Sequence, residues 1–387
     1  MERRIRLAGL LCLAAALLLS GCAKNPETVQ PLPETAAAEP VQVLPAQQSE
    51  AEEYTDSEQP SSKQEQPEVP VLPPMEPAEQ IRMLGVPVQL QKDGETRFVP
   101  VKIGDANERG ILTVEEELLT SVEEDLREQD GILYAPIDKV TELLELERGE
   151  TEAGVIYYAK RISVGDVPEG VKVPILMYHA VSDDCWGYSD LFVSPAKLEE
   201  QLAWMTENGY DAIWMEDLCH LEDYDKPVVL TFDDGYDDNY TELFPLLQKY
   251  NVKATIFVIA GSLGQPHKMT AEQVAELSQS GLVSIQSHSM SHPYLNTLTQ
   301  EQLEWELGES QRIIASLTGK IPNVLCYPGG GFNQLTIDVA KQYYDYGMRM
   351  AGYLYNTSVD PFRIQRFYIS RKSPLSDFQY YIKQTDQ

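Results

Sequence analysis

Val228-Val229-Leu230-Thr231-Phe232-Asp233-Asp234-Gly235 decides how this chain is read. An apolar, β-branched run that halts at two acids and a glycine reads as a buried strand ending in a tight turn. Two adjacent carboxylates at a strand mouth repel, and one pKa rises unless a cation holds it down. A metal ion is the usual cation, and His is its commonest protein ligand. Five His are present, and two of them form His288-Ser289-Met290-Ser291-His292, directly after the apolar run 282–286. Their i, i+4 spacing predicts both imidazoles on one side of a helical turn, where they grip one ion.

Around that stretch, residues 172–387 alternate strand with helix. Strands are expected at 173–178, 211–214, 228–232, 253–260, 282–286, 324–327 and 350–353. Ser194-Pro195 opens a helix that closes at Asn208-Gly209. Thr270 with Gln273, and Thr299 with Gln302, carry the capping-box pattern. Near-continuously apolar strands between helices imply a parallel sheet covered on its faces. The fold class is therefore α/β, and about seven strands over this length favour a distorted, TIM-like (β/α) barrel over an open sheet. His179, Asp233 with Asp234, His288 with His292, and Pro328-Gly329-Gly330-Gly331 each follow one of these strands. The C-terminal ends of barrel strands are where such folds build their chemistry.

The chain before residue 172 divides by composition. Residues 1–21 have a basic start and an apolar run too short for a permanent span, ending in Leu19-Ser20-Gly21-Cys22. This resembles a lipoprotein signal in which Cys22 is acylated, and it implies a lipid anchor on the extracytoplasmic face of a bacterial membrane. Residues 22–80 hold eleven Pro among many Glu, Gln and Ala. Such a segment buries too little apolar surface to offset its ordering entropy, and it reads as a disordered acidic tether. Residues 81–165 read as a small α+β module, with a strand–turn–strand at 81–90, a helix at 137–144 and a closing strand at 154–159. This module resembles the stalk domain named after the N-terminal domain of copper amine oxidases, yet it holds no His or Cys. With 61 acidic against 30 basic residues, net −31, a nucleic-acid partner is excluded. Cys185, Cys219 and Cys326 are too few and too scattered for a disulfide framework.

Thr231-Phe232-Asp233-Asp234-Gly235 and His288-Ser289-Met290-Ser291-His292 resemble the first two motifs of the polysaccharide deacetylases, also called the NodB-homology domain or carbohydrate esterase family 4. Tyr327-Pro328-Gly329-Gly330 resembles the third, and the similarity runs over about 172–382. The resemblance implies hydrolysis of N-acetyl groups on an N-acetylated polysaccharide such as poly-N-acetylglucosamine or peptidoglycan. It makes Asp234, His288 and His292 metal ligands and Asp233 the general base. Backbone N–H groups near Tyr327, in the stretch Tyr327, Pro328 and Gly329, would hold the oxyanion. The ion implied is Zn²⁺, although two His and one carboxylate also accept Co²⁺, Ni²⁺ or Fe²⁺.

Two departures from the family stand out. Cys326 occupies the place of the third-motif Arg that orients the base, so Arg366 or Asp360 is left to replace the lost Arg–Asp pair. No His follows His292, so the acid must come from elsewhere, and His179 is the candidate: its place resembles the rearranged branch that includes the poly-N-acetylglucosamine deacetylases. If the barrel closes, the strand bearing His179 lies beside the last strand. Trp186 and Tyr188, just past that strand, are candidates for an aromatic sugar platform. His220 and His267 read as surface residues. An O-acetyl esterase and a catalytically silent glycan-binding relative are the alternative readings.

Overall fold

The computed structural model describes residues 80–104, 110–162, 164–350 and 352–385. The expected signal, Cys22 and the tether through residue 79 lie outside the described residues.

Eight parallel strands form the central sheet. They are β1 (Ile175–Tyr178), β2 (Asp211–Ile213), β3 (Pro227–Phe232), β4 (Ala254–Val258), β5 (Val283–Ser287), β6 (Val324–Cys326), β7 (Tyr346–Met348) and β8 (Phe367–Tyr368). The spatial order is β7-β6-β5-β4-β3-β1-β8, with β2 paired to the first half of β3. Strand β1 lies between β3 and β8, the first strand beside the last. The sheet curls until its ends meet: Met348 bridges to Ile364, through Arg349 N–H to the Ile364 carbonyl at 2.9 Å and Ile364 N–H to the Gly347 carbonyl at 3.0 Å.

Side-chain alternation along the strands divides the core in two. Ile175, Val229, Phe257, Cys326 and Met348 cluster inside the curl. Leu176, Leu230, Phe232, Ile256 and Ile285 cluster with the helices outside. Helix α1 (Pro195–Glu207) buries Leu198, Leu202 and Met205 at i, i+4 and i+7, each contributing about 1.5–3 kcal/mol. Its Ser194 side chain accepts from Lys197 N–H, as the Ser-Pro opening predicts. Helices α2 (Ala271–Gln279) and α3 (Gln300–Thr318) start at the expected capping boxes of Thr270 and Thr299.

One strand falls elsewhere than expected. The strand placed at 350–353 is β7, four residues earlier. At Gly347 a Cβ would meet the Tyr327 hydroxyl at 2.1 Å. The glycine makes room for a buried ring. Strand β8 is two residues long, too short to leave a periodic signal.

The N-terminal module is α+β, and it is sewn to the barrel. Val86–Gln89, Gln80–Met83 and Ile156–Arg161 form one sheet, and Lys320–Ile321 of the barrel pairs in parallel with Ile156–Arg161. Arg82 donates to the Ser316 carbonyl of α3, and Lys160 N–H donates to the Gly319 carbonyl at 2.8 Å. Gly319 ends α3 at φ 73°, where a Cβ would lie 2.1 Å from the Leu84 backbone.

That seam is testable with two glycines of like conformation. Gly281 also sits at φ 74° but has open space around it. Gly281→Ala is expected to cost about 1–2 kcal/mol, the left-handed strain alone. Gly319→Ala adds a steric cost of about 1–3 kcal/mol, seen as a lower urea midpoint. Equal losses at the two positions would contradict the close packing of module and barrel.

Candidate metal and catalytic site

Alternation along β3 puts Thr231 and Asp233 on the inner face. The turn after it reverses through two left-handed residues, Asp234 at φ 75° and Gly235 at φ 62°. A Cβ at Gly235 would stand 3.0 Å from Val258, so the turn is tightly packed there. Left-handed backbone costs a non-glycine residue about 1–2 kcal/mol, and here it lets two neighbouring carboxylates share one cavity. Asp233 N–H donates to the Tyr178 carbonyl at 3.0 Å, and Lys268 Nζ donates to the Asp234 carbonyl at 2.8 Å.

His288 and His292 come from the β5 end, though not from a helical turn. Strand β5 runs to Ser287, and 288–292 is an irregular loop with Ser289 and His292 both at φ 62°. Serine side chains supply the acceptors a helix would have supplied: Ser287 Oγ takes Ser289 N–H at 3.2 Å, and Ser289 Oγ takes His292 N–H at 3.0 Å. The loop still brings the rings together, 4.8 Å between centroids.

Asp234 Oδ1 lies 3.5 Å from His288 Nε2 and 3.4 Å from His292 Nε2, and the three donor atoms lie within 4.8 Å of one another. Two ligands held about 2.0–2.1 Å from an ion at a tetrahedral angle stand about 3.4 Å apart, so the spacing fits a divalent ion. His288 Nδ1 lies 2.8 Å from the Cys326 carbonyl. A carbonyl only accepts, so Nδ1 carries the proton and the Nε2 lone pair is free to ligate. Asp233, His288 and Cys326 form a second close set. There the Arg366 guanidinium already occupies both Asp233 and Cys326, and its fixed charge repels a cation.

Arg366, 1 % exposed, enters between the Ile364 bridge and β8. It donates to Asp233 Oδ1 at 2.7 Å and Oδ2 at 2.8 Å, to Thr231 Oγ1 at 3.0 Å and to Cys326 Sγ at 3.0 Å. Burial raises the Asp233 pKa, but the guanidinium outweighs it and holds the carboxyl well below the usual range. Asp234 is also lowered: burial opposes ionisation, and His288, His179 and Lys268 override it. Burial lowers all three imidazoles, against the pull of the acids on each. His179, at the end of β1, puts Nε2 3.9 Å from Asp233 Oδ2, while its Nδ1 has no partner among the described residues. Asn239 Nδ2 holds the His179 carbonyl at 3.0 Å and Asp238 Oδ1 at 2.9 Å.

Other expectations need correction. Asp360 does not join Arg366, because its carboxylate takes Phe362 N–H at 2.9 Å and Arg363 at 3.2 Å. The Tyr327 N–H is spent on the Met348 carbonyl at 2.9 Å in the β6–β7 ladder, and the Tyr327 ring is buried against Phe332. Pro328 has no N–H. Gly329 N–H has no partner among the described residues, so it is the amide left to serve an oxyanion. Trp186 and Tyr188 stand in different surroundings. Trp186 stacks on His267, centroids 4.2 Å apart, and meets Tyr236 edge-on at 4.8 Å. Tyr188 is 70 % exposed. His220 is exposed, and Cys185, Cys219 and Cys326 are free thiols. Tyr236 and Lys268, absent from the sequence reading, wall the site: Lys268 Nζ sits 3.8 Å above the Tyr236 ring, and Tyr236 bonds the Asp234 side chain.

Replacing Arg366 by Met leaves Asp233 buried without its cation. The expected destabilisation at neutral pH is about 3–5 kcal/mol. Burial then lifts the Asp233 pKa above its unfolded value of about 3.9. The deficit must therefore shrink as pH falls through that raised pKa. Denaturant unfolding in chelator at pH 5 and pH 7.5 measures it, and adding Asp233→Asn should recover part of the loss. A deficit that grows on acidification contradicts the pairing.

Residues 221–350 match the family model for polysaccharide deacetylase. YxkH of Bacillus subtilis (strain 168), assigned to the polysaccharide deacetylases, is 36% identical over 176 residues, 44% of this chain and 61% of that one. The poly-β-1,6-N-acetyl-D-glucosamine N-deacetylase of Escherichia coli (strain K12) is 30% identical over 139 residues, 31% of this chain and 21% of that one. The chain thus spans under two thirds of the length of both relatives. A polysaccharide deacetylase from Bacillus cereus superposes with a TM-score of 0.53 at 27% identity, over 67% of this chain and 84% of that one. With its acids and histidines gathered at the strand ends of a curled parallel sheet, the chain carries a polysaccharide deacetylase domain over residues 221–350.

Proposed function

We propose that this protein is a divalent-metal-dependent hydrolase that removes N-acetyl groups from an N-acetylglucosamine-containing polysaccharide outside the cell. The observation that carries the reading is the Asp234–His288–His292 donor set beside the Asp233–Arg366 pair, with His179 close by. Asp234 Oδ1, His288 Nε2 and His292 Nε2 would hold the ion and leave a position open. Such an ion, once bound, supplies Lewis acidity: it polarises a carbonyl and lowers the pKa of water.

The chain's own groups do the rest. Arg366 keeps Asp233 ionised and fixed in orientation, ready to take a proton from water. A carboxylate with so low a pKa is a weak base, so its efficiency depends on the water being acidified. His179, 3.9 Å from Asp233, would pass a proton to the departing amine. Gly329 N–H is the free amide that would meet the negative charge developing on the acyl oxygen. Trp186, half exposed and backed by His267, offers a flat face to a sugar ring. Poly-N-acetylglucosamine and peptidoglycan both present the required N-acetyl group. The lipobox-like run at Leu19–Cys22 supports anchorage by a lipid on Cys22, at the extracytoplasmic face of the membrane.

Acetate release from acetylated chito-oligosaccharides and from peptidoglycan, with and without chelator, tests the activity. Asp234→Ala is expected to lose bound metal and turnover together. Asp233→Asn is expected to keep the metal and lose turnover by about 10²–10⁴-fold. Turnover retained in either variant contradicts the assignment, and release confined to O-acetyl substrates makes the enzyme an esterase instead. For the anchor, Cys22→Ser should move the protein from the membrane fraction to the soluble one, and unchanged partition removes that part of the reading.

A further inference from the structure

The loop that carries His292 has no regular structure to hold it, and two of its residues are in left-handed backbone. A backbone of that kind persists only where its surroundings over-determine it. Its amides converge on one carboxylate from another element. Glu306, on α3 and buried, takes Met290 N–H at 2.9 Å and Ser291 N–H at 2.9 Å on Oε2, and the Ser291 hydroxyl on Oε1. Two of the loop's carbonyls are held from the opposite side. Ala260 N–H reaches the Ser289 carbonyl at 3.1 Å, and Gly261 N–H reaches the Met290 carbonyl at 2.8 Å. Gly261 is required there, because a Cβ would stand 2.7 Å from the Met290 oxygen.

We propose that Glu306 is a positioning residue for the metal site: by clamping Met290 and Ser291, it sets where His292 Nε2 stands relative to Asp234 and His288. The inference rests on the metal reading given above. His292 is the most exposed of the three donors, so its own surroundings constrain it least. Its placement then depends on the backbone that carries it, and that backbone hangs on Glu306. Charge-assisted bonds from two amides and a hydroxyl make a stiff mount. Outer groups that orient ligands typically change metal affinity by roughly 10–100-fold when removed.

The test titrates Zn²⁺ against a competing chelator, and Co²⁺ by its visible absorption, into the purified chain and its Glu306→Gln and Glu306→Ala variants. Glu306→Ala is expected to bind Zn²⁺ roughly 10–100-fold more weakly, with an altered Co²⁺ spectrum. Glu306→Gln, which keeps one acceptor oxygen, should fall between. A group that only supports the fold would lower the melting temperature of the metal-free protein and leave affinity and spectrum unmoved in the folded fraction. That outcome overturns the proposal while the metal reading stands. Failure of the unaltered chain to bind Zn²⁺ or Co²⁺ overturns the metal reading and this inference with it. If Glu306→Ala does not fold, Glu306→Gln decides by the same readouts.

Discussion

The ion pair between Arg366 and Asp233 is the constraint from which the rest of the site follows. Two adjacent acids at the end of one buried strand cannot both stay ionised without cations. Arg366 provides one, fully buried and bonded to both oxygens of Asp233. It arrives there only because the sheet closes, with Ile364 bridged to β7 and β8 paired to β1. Closure of the barrel and ionisation of Asp233 are thus one structural event. The guanidinium also reaches Cys326 and so occupies its thiol.

Charge in the cavity is divided accordingly. A permanent cation sits on the Asp233 and Cys326 side, and the Asp234, His288 and His292 side carries the candidate donor set. The neutral imidazoles favoured by burial suit ligation. Support for the second side comes from further out. The N-terminal module grips α3 through Arg82 on Ser316 and through a Glu152 N–H on Glu309, and α3 carries Glu306 to the His292 loop. The module is therefore continuous with the framework that shapes the ligand set.

What was legible in the sequence was whatever leaves a local signature. The Thr231–Gly235 turn, the capping boxes at Thr270 and Thr299, and the placement of polar groups at strand ends all depend on neighbours along the chain. Long-range geometry left less. The His-x-x-x-His spacing reads as a helical turn, and the structure makes the same proximity with a serine-braced loop. Whether Arg366 or Asp360 replaces the Arg–Asp pair could not be told from the sequence, since only closure brings Arg366 to Asp233. Glu306 was missed, yet it has a trace: it is an acid on the apolar face of α3, between Leu303 and Leu307 and among the buried residues of that helix. A charge at such a position needs a partner, and the sequence cannot say which backbone amides supply it.

The central claim is that one divalent ion is held by two imidazoles and one carboxylate, with the Cys326 thiol kept apart by Arg366. X-ray absorption at the Zn edge on the zinc-loaded protein tests it most directly. The account requires a first shell of nitrogen and oxygen scatterers at about 2.0–2.1 Å and no sulfur. A sulfur shell at about 2.3 Å would place the ion on the Asp233, His288 and Cys326 side and contradict it.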